Sequence, residues 1–370
     1  MYAVVTGGGT SGHVVPAMAI IEMLQDAGHP AEDIAYVGSR RGVESSVVPA
    51  LGVRCEFLPV SGLQRSLSLR SLVRNAALPA RLVRSTLRAR RLVAQWSPRV
   101  VVSVGGYASE PMARAAVAAG VPLVCVSYDR VPGLATRRQA RFATVSAVAF
   151  GDSSLPRAVV TGAPVRRAFR VLDIVAERTR VRASMGAGEE ELVITVVGGS
   201  LGSAALNDAV DEVARSLATA GIRAHVHHVT GPRFAVADPD ARTEVGSVTV
   251  QKVAHESDMP GVLAASDIVV SRAGASTVAE IATVGVASVL VPWSGAAGDH
   301  QTLNARWLAD AGGALMVDER VDLRGGLVRT VSSLANDPGL RSRVAATARE
   351  LGGPNRASAL VEVIGNAASV

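Results

Sequence analysis

One opening occurs twice in this chain: an apolar strand, a glycine loop, then a helix. Residues 2–6 run into Gly7-Gly8-Gly9-Thr10-Ser11-Gly12-His13 and a helical pattern over 14–24. Residues 192–197 run into Gly198-Gly199-Ser200-Leu201-Gly202-Ser203 and a helical pattern over 204–217. Glycines at such a junction allow a sharp turn, and the unpaired N–H groups of the new helix then point at the strand's carboxyl edge, where the helix dipole favours an anion. Two such openings, about 190 residues apart in a chain of 370, predict an α/β protein of two Rossmann-like, doubly wound domains with ligand held in the cleft between them. Strand-like runs at 34–37, 100–104, 123–126 and 146–150 alternate with helix-like ones, 110–119 being the clearest, which is the grammar of a parallel sheet. Gly162 and Pro164 mark the hinge, giving a first domain over 1–163 and a second over 164–349. A last helix, within about 350–370 and after the break Gly352-Gly353-Pro354, is expected to return to the first.

The densest site signal is residues 267–304. A short buried strand over 267–271 breaks at Arg272-Ala273-Gly274-Ala275, and a helix from Ser276 to Val284 carries Glu280. A second strand over 287–291 leads to a polar loop ending Asp299-His300-Gln301-Thr302-Leu303-Asn304. The first break is a place for phosphate, and the second loop suits a hydroxyl-rich ligand. Glu280 has two oxygens that could accept both hydroxyls of a ribose, though alone it would more often be an ordinary solvated helix residue. Gln301, Asp299 and Asn304 could read sugar hydroxyls, and the same residue types also cap helices.

Composition narrows the classes. Aromatics are 3% of the chain, which counts against a nucleic-acid reader built on stacked aromatic platforms. Cys55 and Cys125 each lie inside an apolar run and give neither a disulfide framework nor a metal cluster. No leader is visible before the first strand and no run reaches the length of a membrane span, so a cytoplasmic location is expected. The net charge of +6 is local: between Glu56 and Glu110 there is no acid, and there are nine arginines. Arg81, Arg84, Arg88 and Arg91 recur at helical spacing beside Leu82, Val83, Leu87 and Val93, a basic amphipathic helix that reads as a solvated face over the core or as a face resting on anionic lipid, with nucleic acid as the third choice.

Three further features bear on chemistry. His13 stands at the mouth of the first sheet, where an imidazole could take a proton from an attacking hydroxyl at neutral pH. Gly7, Gly9 and Gly12 form Gly-x-Gly-x-x-Gly, but the second strand ends at Gly38-Ser39-Arg40-Arg41 without the acid that holds an NAD ribose, leaving NADP as an alternative. Asp238-Pro239-Asp240 reads as loop, and His225, His227 and His228 as a strand surface lacking a third ligand, so no metal is expected.

Eight motifs in order carry a resemblance across nearly the whole chain. They are Gly7 to His13 with Pro16, Gly38-Ser-Arg-Arg-Gly-Val-Glu44, Ser61-Gly-Leu63, Gly105-Gly-Tyr107, Pro164-Val-Arg166, Gly198-Gly-Ser-Leu-Gly202 with Asn207, Ser271-Arg-Ala-Gly-Ala-Ser-Thr-Val-Ala-Glu280 and Asp299-His-Gln-Thr-Leu-Asn-Ala305. In this set the chain resembles the MurG family, the UDP-N-acetylglucosamine:undecaprenyl-diphosphoryl-N-acetylmuramoyl-pentapeptide N-acetylglucosaminyltransferases of peptidoglycan synthesis. The resemblance implies a GT-B fold and an inverting, metal-independent glycosyltransferase without a cofactor. It implies Thr10 and His13 at the reacting centre, with UDP-N-acetylglucosamine contacted by Thr10, Ser11, Gly12, Arg166, Ser200, Gly202, Glu280, Gln301 and Asn304. Gly9, Gly105, Tyr107 and Asp129 would face a lipid-linked N-acetylmuramoyl-pentapeptide, and the basic stretch 63–91 would dock on the anionic cytoplasmic face of the cell membrane. Where the family has His-Glu-Gln-Asn this chain has Val126-Ser127-Tyr128-Asp129, so an acceptor-side carboxylate is missing and Asp129 is the candidate to replace it. Ala163 stands for the family's asparagine, Ser11 for a glycine, and His255-Glu256 for an apolar pair at the uracil. A related transferase with another acceptor, an NADP-dependent oxidoreductase and a non-catalytic membrane-associated homologue are the competing readings.

Overall fold

The computed structural model describes residues 1–40, 43–60, 78–234, 236–239 and 241–370. The motif Ser61 to Leu63, the part of the basic stretch before residue 78, and Arg41 and Asp240 lie outside the described residues. Two compact units result, one of Met1–Arg167 with Pro354–Val370 and one of Ala168–Gly353.

In the first unit β1 (Ala3–Thr6), β2 (Ile34–Ser39), β3 (Arg54–Leu58), β4 (Val100–Ser103), β5 (Leu123–Ser127), β6 (Val145–Val148) and β7 (Ala158–Val160) form a sheet in the order β3-β2-β1-β4-β5-β6-β7. All of its described pairings are parallel. Central strands of a parallel sheet are covered on both faces, and β1, β2, β4 and β5 are accordingly buried at every position and rich in valine. Helices Ser11–Asp26, Leu78–Trp96 and Glu110–Ala118 and the returning helix Ala359–Ala368 complete the layers.

The second unit repeats the plan. Here β8 (Leu192–Val197), β9 (Ala224–Val229), β10 (Arg242–Val245), β11 (Val248–Val253), β12 (Ile268–Ser271), β13 (Ser288–Leu290) and β14 (Leu315–Met316) take the order β10-β11-β9-β8-β12-β13-β14, with only β10 antiparallel among the described strands. In both sheets the order reverses beside the strand that carries the glycine loop, between β1 and β4 and between β8 and β12. The carboxyl ends of these strand pairs are where a doubly wound sheet opens a crevice for ligand.

Three details depart from expectation. The division between the units falls after Arg167, because Arg166 Nε donates to Glu22 Oε1 at 2.8 Å and Arg167 N to Glu22 Oε2 at 2.7 Å, which ties the linker to helix Ser11–Asp26. His225, His227 and His228 are buried rather than on a strand surface, because β9 lies between β8 and β11 inside the sheet. In helix Leu78–Trp96 the core face is Ser85, Ala89, Leu92, Val93 and Trp96, leaving Val83 and Leu87 exposed among the arginines.

Candidate functional site

The first unit's site is built on the β1 loop. Gly8 and Gly9 take the positive φ values +128° and +90° that L side chains resist, and helix Ser11–Asp26 begins after Thr10. Pro16 stands inside that helix and has no N–H to give the carbonyl of Gly12, four residues back. The buried hydroxyl of Tyr128 donates to that carbonyl instead. Tyr128 thus joins the segment after β5 to the first turn of this helix.

His13 lies one residue beyond, half-buried, with Nδ1 2.9 Å from Thr10 Oγ1. The loop after β4 lies against its ring: a Cβ on Gly106 would come within 3.2 Å of the imidazole and 2.8 Å of the Gly8 carbonyl, and one on Gly105 within 2.5 Å of Thr136 Oγ1. Tyr107 lies over Gly9 so closely that a Cβ there would be 2.4 Å from its ring. Gly9, Thr10, His13, Gly105 and Tyr107 therefore converge, and Asp129 is near enough to act on His13 through its charge. Burial lowers the His13 pKa below its ordinary value, while the carboxylates of Asp129 and Glu44 oppose that shift. The imidazole is thus neutral, and basic, at neutral pH.

The second unit's site is built at the ends of β8 and β12. Gly202, with φ +78°, lies so close to the chain just past β9 that a Cβ would be 2.0 Å from the Thr230 carbonyl. Ser203 caps helix Ala204–Thr219 through Leu206 N, and Ser200 is exposed on the loop. Glu280 lies half-buried on helix Ala275–Val284, while Asn304 is buried and donates to the carbonyl of Ala273 at 3.3 Å. Gln301 Oε1 accepts from Trp293 N at 2.9 Å, fixing the polar loop onto helix His300–Ala309.

Sequence reasoning assigned no task to Arg272, yet it organises this half. Its guanidinium donates to the carbonyls of Val291 and Pro292 and to Ser203 Oγ, and pairs with Glu319 at 2.6 Å. Glu319 in turn accepts from Ser294 N at 2.7 Å. One side chain thus joins the glycine loop, the end of β13 and the polar loop. Arg166, expected beside the diphosphate, belongs to the first unit and is engaged with Glu22. Among the described residues no group of three or more His, Cys, Asp or Glu could hold a metal ion.

The two units match, in order, the Glycosyltransferase family 28 N-terminal domain over residues 3–148 and the Glycosyltransferase family 28 C-terminal domain over residues 193–354. A protein of Desulforudis audaxviator (strain MP104C) named UDP-N-acetylglucosamine--N-acetylmuramyl-(pentapeptide) pyrophosphoryl-undecaprenol N-acetylglucosamine transferase is 32% identical, covering 98% of this chain and 98% of its own. The chain belongs to the MurG family. A relative of the same name from Acidothermus cellulolyticus (strain ATCC 43068 / DSM 8971 / 11B) is 35% identical over 100% of this chain and 98% of its own. The crystal structure of Acinetobacter baumannii MurG matches with a TM-score of 0.75 at 25% identity, covering 100% of this chain and 99% of that one. A MurG-family chain is a glycosyltransferase, which displaces the oxidoreductase reading of the β1 loop. Arg40, half of the expected NADP pair, instead donates through Nε to the Phe57 carbonyl at 3.0 Å.

Proposed function

We propose that this MurG-family glycosyltransferase moves N-acetylglucosamine from UDP-N-acetylglucosamine to the 4-hydroxyl of a lipid-linked N-acetylmuramoyl-pentapeptide, with inversion and without a metal. The donor and the lipid-linked acceptor follow from relatives that match end to end. The observation that carries the chemistry is the His13 imidazole, held by Thr10 at its Nδ1 and kept neutral by burial at the mouth of the first sheet. With the Nδ1 proton donated to Thr10, Nε2 carries the lone pair that accepts the proton of the acceptor hydroxyl as its oxygen attacks the anomeric carbon. The C–O bond to the diphosphate breaks on the opposite face, and UDP leaves with the bonding pair. Gly9, Gly105, Tyr107 and Asp129 position the acceptor.

The second unit holds the donor. The β8 loop with Ser200 and Gly202, and the start of helix Ala275–Val284, supply N–H groups and dipoles for the leaving diphosphate, the task a metal performs elsewhere. Glu280, on helix Ala275–Val284, accepts from the ribose hydroxyls, and Gln301 and Asn304, on helix His300–Ala309, read the sugar hydroxyls. Arg166, a donor-site residue by the family resemblance, is paired with Glu22.

The chain works at a membrane surface. Among the described residues no helix is long and apolar enough to cross a bilayer. Helix Leu78–Trp96 instead sets Val83 and Leu87, 59% and 49% exposed, among Arg84, Arg88 and Arg91. Apolar side chains ringed by arginine suit an anionic interface.

The decisive test is transfer of labelled N-acetylglucosamine to a short-chain lipid-linked N-acetylmuramoyl-pentapeptide with EDTA present and a donor-hydrolysis control. Product under these conditions supports donor, acceptor and metal independence together. Donor binding without product overturns the acceptor assignment, and product only after a divalent cation is restored overturns metal independence.

A further inference from the structure

Glu44 opens the short helix Glu44–Val47 after β2, in a region the sequence marks as polar, yet its side chain has no exposure to solvent. A buried carboxylate is costly unless hydrogen bonds compensate it. Glu44 Oε1 accepts from two backbone amides, Gly9 N at 3.0 Å and Ser39 N at 3.1 Å. It therefore clamps the glycine loop after β1 to the carboxyl end of β2. The loop is shaped to receive it: a Cβ on Gly8 would lie 2.5 Å from Glu44 Oε1 and 3.0 Å from the Tyr36 hydroxyl. Tyr36, also fully buried, donates to the Gly7 carbonyl at 2.8 Å. Glu44 Oε2 is buried and has no hydrogen-bond partner among the described residues.

Two buried side chains thus hold the loop that ends in Thr10 and His13, and one of them is an acid. We infer that Glu44 is a positioning residue for glycosyl transfer, its buried carboxylate fixing the Gly9 end of the loop and presenting negative charge to His13. This rests on the reading of His13 as the base. The charged groups that act on that imidazole are the carboxylates of Asp129, after β5, and Glu44, after β2; Thr10 on its own loop is hydrogen-bonded to its Nδ1, and the Tyr128 and Tyr36 hydroxyls are taken by the carbonyls of Gly12 and Gly7. Gly105 and Gly106, from the β4 side, bring no charge. Glu44 and Asp129 both favour the imidazolium, in opposition to burial, so together they preserve basicity that desolvation would otherwise remove.

The test compares wild type, Glu44→Gln and Glu44→Asp by acceptor kinetics across the acid and neutral pH range, with thermal melting and UDP-N-acetylglucosamine binding measured on the same samples. Glu44→Gln keeps an oxygen for the two amides and removes the charge. Its melting temperature and donor binding should stay near wild type, while kcat falls about tenfold, in line with the weak displacement of a proton acceptor. The acid limb of its rate profile should move to lower pH, since losing a nearby negative charge makes the imidazolium easier to deprotonate. Glu44→Asp keeps the charge but is one methylene short of both amides, so kcat falls and the acid limb stays. A Glu44→Gln enzyme with wild-type kcat and an unmoved acid limb would overturn the inference. So would wild-type kcat in Glu44→Asp, which serves as the test of the clamp if Glu44→Gln fails to fold. Loss of the underlying reading looks different: there wild type forms no product, or His13→Ala transfers at the wild-type rate, whatever Glu44 does.

Discussion

At residue scale the chain assigns contrasting electrostatic tasks to two side chains, half-buried His13 and buried Arg272. His13 loses charge to burial and gains some basicity back from Asp129 and Glu44, so its pKa lies below the ordinary histidine value and the base is ready in the neutral range. His13→Ala should lower kcat by roughly 100-fold to 10,000-fold with donor binding unchanged, the span expected for losing a general base. Asp129→Asn should move the acid limb of the rate profile to lower pH, since Asp129 raises the His13 pKa and its removal leaves burial less opposed. Steady-state kinetics against pH check both. Arg272 is the opposite case, a permanent cation whose side chain is 9% exposed beside the 11% exposed carboxylate of Glu319. Arg272→Met leaves Glu319 without its ion-pair partner and should destabilise the second unit by about 3–5 kcal/mol, with donor binding weakened as the loops separate. Urea unfolding reads the first effect. Arg272→Lys should restore little of it, because an ammonium cannot reach two carbonyls, a hydroxyl and a carboxylate as a guanidinium fork does.

At the scale of elements, helix Leu78–Trp96 makes a separable prediction. Replacing Val83 and Leu87 together by Gln removes two apolar side chains already in water, so the melting temperature should hold within a degree or so, as for other surface changes. Cosedimentation with anionic vesicles should fall by about tenfold or more, since each buried aliphatic side chain contributes about 1.5–3 kcal/mol at such an interface. Unchanged cosedimentation would remove this helix from the membrane face. The arginine spacing made the helix legible in the sequence. Its orientation was not legible, because the core face is set by small Ser85 and Ala89, where close packing matters more than hydropathy, while larger Val83 and Leu87 lie outside. The same limit applies at Gly12. Pro16 leaves the Gly12 carbonyl without its helical donor, and only the fold brings the Tyr128 hydroxyl to it, from 116 residues away in sequence. Glu44 and Arg272 were opaque for a related reason: a charged residue in a polar stretch looks solvated until the surrounding loops close over it.

At the scale of the molecule, the two strand–glycine loop–helix openings were enough to predict two doubly wound sheets, because a glycine loop after the first strand of each fixes where the strand order reverses. What they could not reveal is how the second unit responds to acid. Its β9 carries three buried histidines: His227 Nε2 lies 3.0 Å from Glu256 Oε2, and His228 Nε2 lies 2.9 Å from Asn207 Oδ1. Burial drives the pKa of His225 down to about 4, helped by His227 and Arg242, and burial with Lys252 drives His228 down to about 4. In the unfolded chain both would titrate near the ordinary histidine value of 6.5. Between those values the unfolded state binds protons that the folded state refuses, so stability is fully present above about pH 6.5 and falls as pH drops towards 4, by on the order of 3 kcal/mol for each histidine. Urea unfolding of the whole chain from neutral pH downward should therefore show a midpoint that declines through this window. His228→Gln can still donate to Asn207 Oδ1 but cannot titrate, and should reduce the decline by about half if the two histidines contribute equally. A decline as steep as that of wild type would show that the acid sensitivity of the second unit lies elsewhere than in β9.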